Sequence, residues 1–295
     1  SSFDYFKLSD KERKEYDKQR KEEMNRILPD STIRKATHAG SKNPERDMAA
    51  LSGMDCVKEK IEEIVARANY DKQQGKKGEG FSSHYVFYGA PGTGKTTFAR
   101  ILTGFLYKNK IIQKNQCIEV DGNLLKASAP GAGGMKAEIL VKYAMGGVLF
   151  IDEAYSLCDG YDNGFGDEAI NTIGQEMENH RDNVIVIFAG YPEPMQQFLD
   201  RNPGMRSRIA FCVEFDDYSV EELCEITKLM LSRKQMTITE AGMKKLKKNF
   251  ESIKDSRDYG NGRFARKMLE EAEMNLAERI CQMDETEITT EVLTT

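Results

Sequence analysis

Gly89-Ala90-Pro91-Gly92-Thr93-Gly94-Lys95-Thr96-Thr97 is the stretch on which the reading of this chain turns. It fits the pattern GxxxxGK[ST], a loop whose backbone N–H groups cradle a polyphosphate. The pattern carries meaning only between a strand and a helix, and both flanks comply. Tyr85-Val86-Phe87-Tyr88 is an apolar and aromatic run of strand length. Beyond the loop, Phe98, Ile101, Leu102, Phe105 and Leu106 recur at helical spacing. A glycine loop that opens a helix turns successive N–H groups toward an anion at the positive end of the helix dipole.

A second signal is independent of the first. Val148-Leu-Phe-Ile-Asp152-Glu153 is an apolar strand that delivers two carboxylates at its C-terminal end, the edge where open α/β sheets bind ligands. Beside a phosphate-binding loop, the first carboxylate suits Mg²⁺ and the second suits orienting an attacking water. Together the two motifs assign Lys95 to the β- and γ-phosphates of the ligand, Thr96 and Asp152 to Mg²⁺, and Glu153 to the water.

The whole chain frames these motifs. Its 295 residues are enough for one large core and a second smaller one. A net charge of −5 gives no overall attraction to nucleic acid. The longest apolar runs, 148–151 and 184–189, have strand length, so no membrane segment is expected. Cys56, Cys117, Cys158, Cys212, Cys224 and Cys281 form no CxxC pair, which fits reduced thiols in a cytoplasmic protein. His38, His84 and His180 make no metal-ligand spacing. The chain opens Ser1-Ser2-Phe3 without a methionine, as a processed terminus or a cloning boundary does.

Residues 9–26 read as a solvated, highly charged helix or as an arm that docks a partner, and Pro29 to Glu45 as a polar linker. Met54, Val57, Ile61, Ile64, Val65 and Ala68 make one apolar helical face. Strand patterns at 84–88, 117–120, 148–151, 184–189 and 211–215 then alternate with helical ones at 95–107, 135–144, 167–179 and 194–200. That alternation predicts a parallel sheet covered on both faces. Past Asp216 the strand signals stop, and Ser219-Val-Glu-Glu222 is a capping box that starts a run of helices. The expected fold class is α/β: a P-loop parallel-sheet core at 49–215, an all-helical domain at 216–295, and a charged helix and linker at 1–48.

Several stretches together resemble an AAA+ ATPase, of the group that holds CbbX-type Rubisco activase, stage V sporulation protein K and the ATPases of type VII secretion. They are Leu51-Ser-Gly-Met-Asp-Cys-Val-Lys-Glu-Lys-Ile61, the P-loop, and Gly146-Gly-Val-Leu-Phe-Ile-Asp-Glu-Ala-Tyr155. Met177-Glu-Asn-His-Arg-Asp182, Ala189-Gly-Tyr191, Asn202-Pro-Gly-Met-Arg-Ser-Arg208 and Gly260-Asn-Gly-Arg263 add to them. The resemblance covers about residues 49–282. It implies a homo-oligomeric ring, usually a hexamer, with ATP at each subunit boundary and a protein client. It further implies that Arg206 or Arg208, with Arg208 favoured, is an arginine finger reaching a neighbour's γ-phosphate, and that Arg263 is a lid arginine on the phosphates in cis. Tyr191 falls near the position where relatives carry a polar sensor, and Gly53 and Met54 flank the adenine pocket. With Pro91, Gly92, Thr93, Gly94 and Thr97 these complete the expected nucleotide contacts.

One segment departs from the family. Where relatives carry an aromatic–aliphatic–glycine tripeptide that grips polypeptide in the pore, this chain has Ala129-Pro130-Gly131, which offers no large contact area. Tyr161 and Phe165 in the segment 159–166 are candidates for a second pore-facing loop. Two further readings therefore stand beside a protein-remodelling ATPase. One is an ATP-controlled assembly scaffold that does not thread its partner. The other is a nucleic-acid motor touching phosphates through Lys244-Lys245-Leu-Lys247-Lys248, a run that also suits a solvated helix face.

Overall fold

The computed structural model describes residues 4–51, 53–75, 84–126, 131–158, 165–254, 262–282 and 292–293. Six strands form one sheet: β1 Thr37–Ala39, β2 His84–Gly89, β3 Gln116–Asp121, β4 Val148–Asp152, β5 Ile185–Gly190 and β6 Ile209–Phe215. Their spatial order is β1-β3-β4-β5-β2-β6. The last five pair in parallel, and β1 alone runs antiparallel, on β3.

Alternation along the strands explains the layers. In β4, Val148 and Phe150 face one side while Leu149 and Ile151 face the other, and all four are buried. The first face is covered by α3 Pro44–Ala49, α4 Asp55–Gln73 and α5 Lys95–Lys108, which contribute Met48, Ile61, Ile64, Phe98 and Leu102. The second is covered by α6 Ala132–Ala144, α7 Phe165–Asn179, α8 Pro192–Arg201 and α9 Pro203–Arg206, through Leu140, Ile173, Phe198 and Met205 among others. Phe87, Phe98, Phe150, Phe188 and Phe198 are fully buried, each worth about 2–3 kcal/mol of transfer free energy.

After β6 the chain builds a smaller body from α10 Val220–Arg233, α11 Glu240–Ile253 and α12 Gly262–Gln282, with a two-residue parallel pair of β7 Thr237–Ile238 and β8 Val292–Leu293. Ser219 and Glu222 cap α10 reciprocally, as their spacing predicts. Leu223, Leu246, Phe250 and Ala265 form a core separate from the two sheet layers.

The N-terminal region differs from expectation. Helix α1 Asp10–Ile27, capped by Ser9 and Glu12, has no buried residue and meets α6 through an Arg20–Glu138 ion pair at 2.7 Å. The stretch from Pro29 to Glu45 is not a polar linker. It folds as α2 Asp30–Ala36, then β1, then the start of α3. Leu28 and Ile33 enter the sheet core, while β1 holds its place by backbone pairing (Thr37 with Ile118, Ala39 with Gln116) that needs no apolar pattern. Gly40 and Gly104 allow this segment to lie close against α5, where Ser41 N donates to Arg100 O at 2.9 Å. Asn43 at the N-cap with Pro44 in the first turn is the sequence signal that marks α3.

His84 opens β2 fully inside the protein, and its Nδ1 accepts the N–H of Val186 at 3.0 Å. Burial first, and the charge of Arg208 second, push its imidazole from 6.5 down to about 3. Below pH 6.5 the unfolded chain takes up a proton that folded His84 refuses. The stability it contributes is therefore whole above 6.5 and is lost as pH falls toward 3, at up to about 1.4 kcal/mol per pH unit. Urea unfolding between pH 7.5 and 5 should show a smaller loss of stability with acid in His84→Gln than in the wild type.

Candidate nucleotide site

The buried run of β2 carries Gly89 to the carboxyl edge of the sheet, and the loop that follows turns back to start α5. Gly92 and Gly94 take φ of 75° and 96°, a region open to glycine at little cost. Thr93 is fully buried and its hydroxyl donates to Ala90 O at 2.8 Å. Lys95 is buried, with Nζ donating to Gly89 O at 2.6 Å and Ala90 O at 2.7 Å, which places the ammonium over the loop. Tyr218, in the connection to the helical body, donates its hydroxyl to Thr93 O at 2.9 Å. Gly94 leaves room for that contact, because a Cβ there would stand 2.7 Å from the tyrosine oxygen. Burial pushes the Tyr218 phenol up to about 12, so it remains a neutral donor.

On the adjoining part of the edge, Asp121 of β3 and Asp152 of β4 are register partners. Asp152 Oδ1 accepts the N–H of Glu153 at 3.0 Å. Glu153 has φ 50°, a left-handed conformation that costs a non-glycine residue about 1–2 kcal/mol. Tyr155 stands near the acidic pair, and burial first, then the Glu153 carboxylate, push its phenol up to about 12. Tyr191 follows β5 at the N-cap of α8 and is 41% exposed.

A cleft of about 440 Å³ opens between the P-loop and the helical body. Gly92, Gly94, Lys95, Thr96, Thr97, Arg100 and Asp152 line its core side; Ile226, Leu229, Met230, Arg233 and Arg266 line the other, with Leu51 between them. Its charged lining is thus four cations against one carboxylate, although Arg100 is also held by Glu119 at 2.6 and 2.8 Å. An apolar patch of Leu51, Ile226, Leu229 and Met230 accompanies the charged part. Such a cleft suits a ligand with a flat apolar end and a polyanionic end. Thr96 and Asp152 bring hard oxygen donors to the same cleft, which fits Mg²⁺ held by few protein ligands.

The expected site residues are not all gathered there. Pro91 and Thr93 of the loop, and Glu153 and Tyr191 at the sheet edge, do not line the cleft. Gly53 and Met54 sit at the seam of the two bodies: a Cβ on Gly53 would meet the Glu222 carboxylate at 2.1 Å, and Met54 packs on both the core and the helical cluster. Arg206 and Arg208 lie at the α9–β6 junction. Arg206 pairs with Asp200 at 2.5 Å, and Arg208 donates to Gly204 O at 2.6 Å and meets Glu178 at 3.4 Å. Arg263 falls in the first turn of α12, with its side chain outside the described residues. Ala129, Pro130 and Tyr161 also lie outside them, as does the side chain of Phe165. Gly131 is described: it caps α6 at φ 80°, and its N–H donates to Glu168 at 2.8 Å.

Sequence reasoning missed Tyr218, Arg233 and Arg266. Arg266 follows Arg263 by three positions and so shares its helix face, the one signal available. Among the described residues no group of three His, Cys, Asp or Glu side chains is arranged to hold a metal, and no helix is long and apolar enough to cross a membrane.

Comparisons with known proteins agree with this geometry. Residues 85–216 match the family described as "ATPase family associated with various cellular activities (AAA)", and residues 219–295 match the AAA lid domain. Stage V sporulation protein K of Bacillus subtilis (strain 168) is 36% identical over 256 residues, covering 85% of this chain and 80% of that protein. The chloroplastic ribulose bisphosphate carboxylase/oxygenase activase of Cyanidioschyzon merolae is 39% identical over 234 residues, covering 78% of this chain and 80% of its own. Among solved structures, the FIGL-1 AAA domain in complex with ADP aligns with a TM-score of 0.64 at 18% identity, over 91% of this chain and 87% of that one, a likeness of fold.

The Tyr218–Thr93 hydrogen bond gives this site a measurable consequence. Tyr218→Phe leaves a buried carbonyl without its donor and should lower unfolding free energy by about 1–2 kcal/mol in urea titration.

Proposed function

This chain belongs to the AAA family of ATPases, and on that premise we propose that it binds and hydrolyses ATP in a homo-oligomeric ring, expected to be a hexamer, to remodel a protein partner. The cleft between P-loop and lid carries the reading, because its cations, its apolar patch and its Thr96–Asp152 pair suit the parts of Mg·ATP. In this scheme the N–H groups of the loop through Thr97 hold the phosphates, with Lys95 drawn onto the β- and γ-phosphates. Leu51 and the α10 side chains receive the adenine. Thr96 and Asp152 would hold Mg²⁺, which would supply charge neutralisation to the phosphates. Glu153 polarises the attacking water, and its αL backbone holds the carboxylate at the sheet edge.

Arg206 and Arg208 emerge at the α9–β6 junction outside the cis cleft, which favours a role on a neighbouring copy's nucleotide. The favoured finger is Arg208, once freed from Glu178. Arg263 and Arg266 share a helix face on the lid and act on the phosphates in cis. We take the core as 49–215 extended back to include β1, with the lid at 216–295.

The relative named as an activase of ribulose bisphosphate carboxylase/oxygenase acts, by its name, on another protein, which favours a protein client here as well. The second reading, a scaffold that assembles on ATP and does not thread its partner, draws on Ala129-Pro130-Gly131.

Glu153→Gln should bind a fluorescent ATP analogue as the wild type does while losing steady-state turnover on the order of 100-fold or more. Substantial turnover in that variant would remove Glu153 from the water-orienting role. Wild-type specific activity that rises with protein concentration would support sites completed between subunits.

A further inference from the structure

Glu153 holds an αL backbone that its residue type does not favour, and its carbonyl lies against the turn that follows the neighbouring strand. Because Asp121 and Asp152 are register partners, the residues just past them, Gly122 and Glu153, also come together. Gly122 is buried. A Cβ there would stand 2.5 Å from Glu153 O, 3.2 Å from its carbonyl carbon and 3.4 Å from Ala154 Cα. All three are backbone atoms, which cannot swing aside as the tip of a side chain can.

The surroundings leave little slack. Asp121 Oδ1 accepts Asn123 N at 2.7 Å and Asn123 Nδ2 at 2.6 Å, which pins the turn that carries Gly122. Across from it, Ser156 N donates to Glu153 O at 2.9 Å, and Glu153 N donates to Asp152 Oδ1 at 3.0 Å. The residue is tied at its amide and at its carbonyl, and the space left by the missing side chain of Gly122 fixes where that carbonyl rests.

We propose that Gly122 is a positioning residue for Glu153, its bare Cα letting the Glu153 carbonyl settle against the β3 turn and so aiming the carboxylate. The inference rests on the water-orienting reading of Glu153. Neither Gly122 nor Glu153 lines the nucleotide cleft, so their role is felt in turnover and not in binding. A reacting group displaced by about 1 Å loses roughly 100-fold in rate, which is ample to see.

The test compares the wild type, Gly122→Ala, Glu153→Gln and the double variant, in kcat, KM for Mg·ATP, affinity for a fluorescent ATP analogue and thermal melting. Gly122→Ala should lower kcat about 10- to 100-fold with nucleotide affinity held within about 2-fold. In the Glu153→Gln background the same change should lower the residual single-turnover rate no further, because residues that act as one unit are not additive. Gly174→Ala, whose nearest foreign atom is Met205 Cε at 3.9 Å, serves as the control glycine substitution. Wild-type kcat in Gly122→Ala overturns the proposal, and so does an undiminished loss in the Glu153→Gln background. If Gly122→Ala does not fold, Asn123→Ala loosens the same turn from outside and should cut kcat at unchanged affinity, with no effect in the Glu153→Gln background. A wild type that turns over ATP and a Glu153→Gln that does not would leave the enzymatic reading intact whichever way Gly122 falls. A wild type without turnover would remove that reading first.

Discussion

Parallel pairing is the constraint on which the rest of this molecule depends. From β2 to β6 every strand runs the same way, so every strand ends on one edge. That edge collects Gly89, Asp121, Asp152 and Gly190, the points from which the P-loop, the acidic pair and Tyr191 depart. Register is not negotiable there, since slipping a strand by one residue would exchange its two buried faces. The positions of the phosphate loop and the carboxylates are in this sense by-products of core burial. The same burial offsets the unfavourable backbone at Glu153 and the close approaches around the loop.

The lid is a second body with its own core, joined to the first at several of the described residues. Met54 packs against both, Glu222 lies on Gly53, and Tyr218 is hydrogen-bonded to the loop. The cleft lies along this seam, so a ligand within it would be gripped by two bodies whose hydrophobic clusters touch through Met54. Each brings a different chemistry. The core offers oriented N–H groups, an ammonium and hard oxygens, and the lid offers aliphatic surface with two guanidinium groups.

Much of this was legible in the sequence, for identifiable reasons. The strands from β2 to β6 and the helices between them announce themselves because buried strands need unbroken apolar runs and covering helices need one apolar face. The P-loop and Asp152-Glu153 are legible because their function demands fixed residues at fixed spacing. The segment around β1 was not. A three-residue edge strand, Thr-His-Ala, is held by main-chain bonds to β3 and leaves no periodicity to read. The lid arginines were hidden differently: Arg233 and Arg266 are ordinary surface cations until folding brings α10 and α12 over the loop. The φ of Glu153 and the closeness of Gly122 to it are also long-range facts, since 31 positions separate the two in the chain and only the β3–β4 register joins them.

The strand at the N-terminal side closes one edge of the sheet. Without Thr37–Ala39, β3 would be the outermost strand of a parallel sheet, offering a row of unpaired N–H and C=O groups to any extended segment nearby. β1 blunts that edge with the short strand Thr37-His38-Ala39 running the other way, and α1 and α2 beside it are fastened to α6 through Arg20–Glu138 and Tyr143–Asp30. The charged N-terminal region thus acts as a selvedge, a finished border that keeps the sheet from unravelling into, or knitting with, its neighbours.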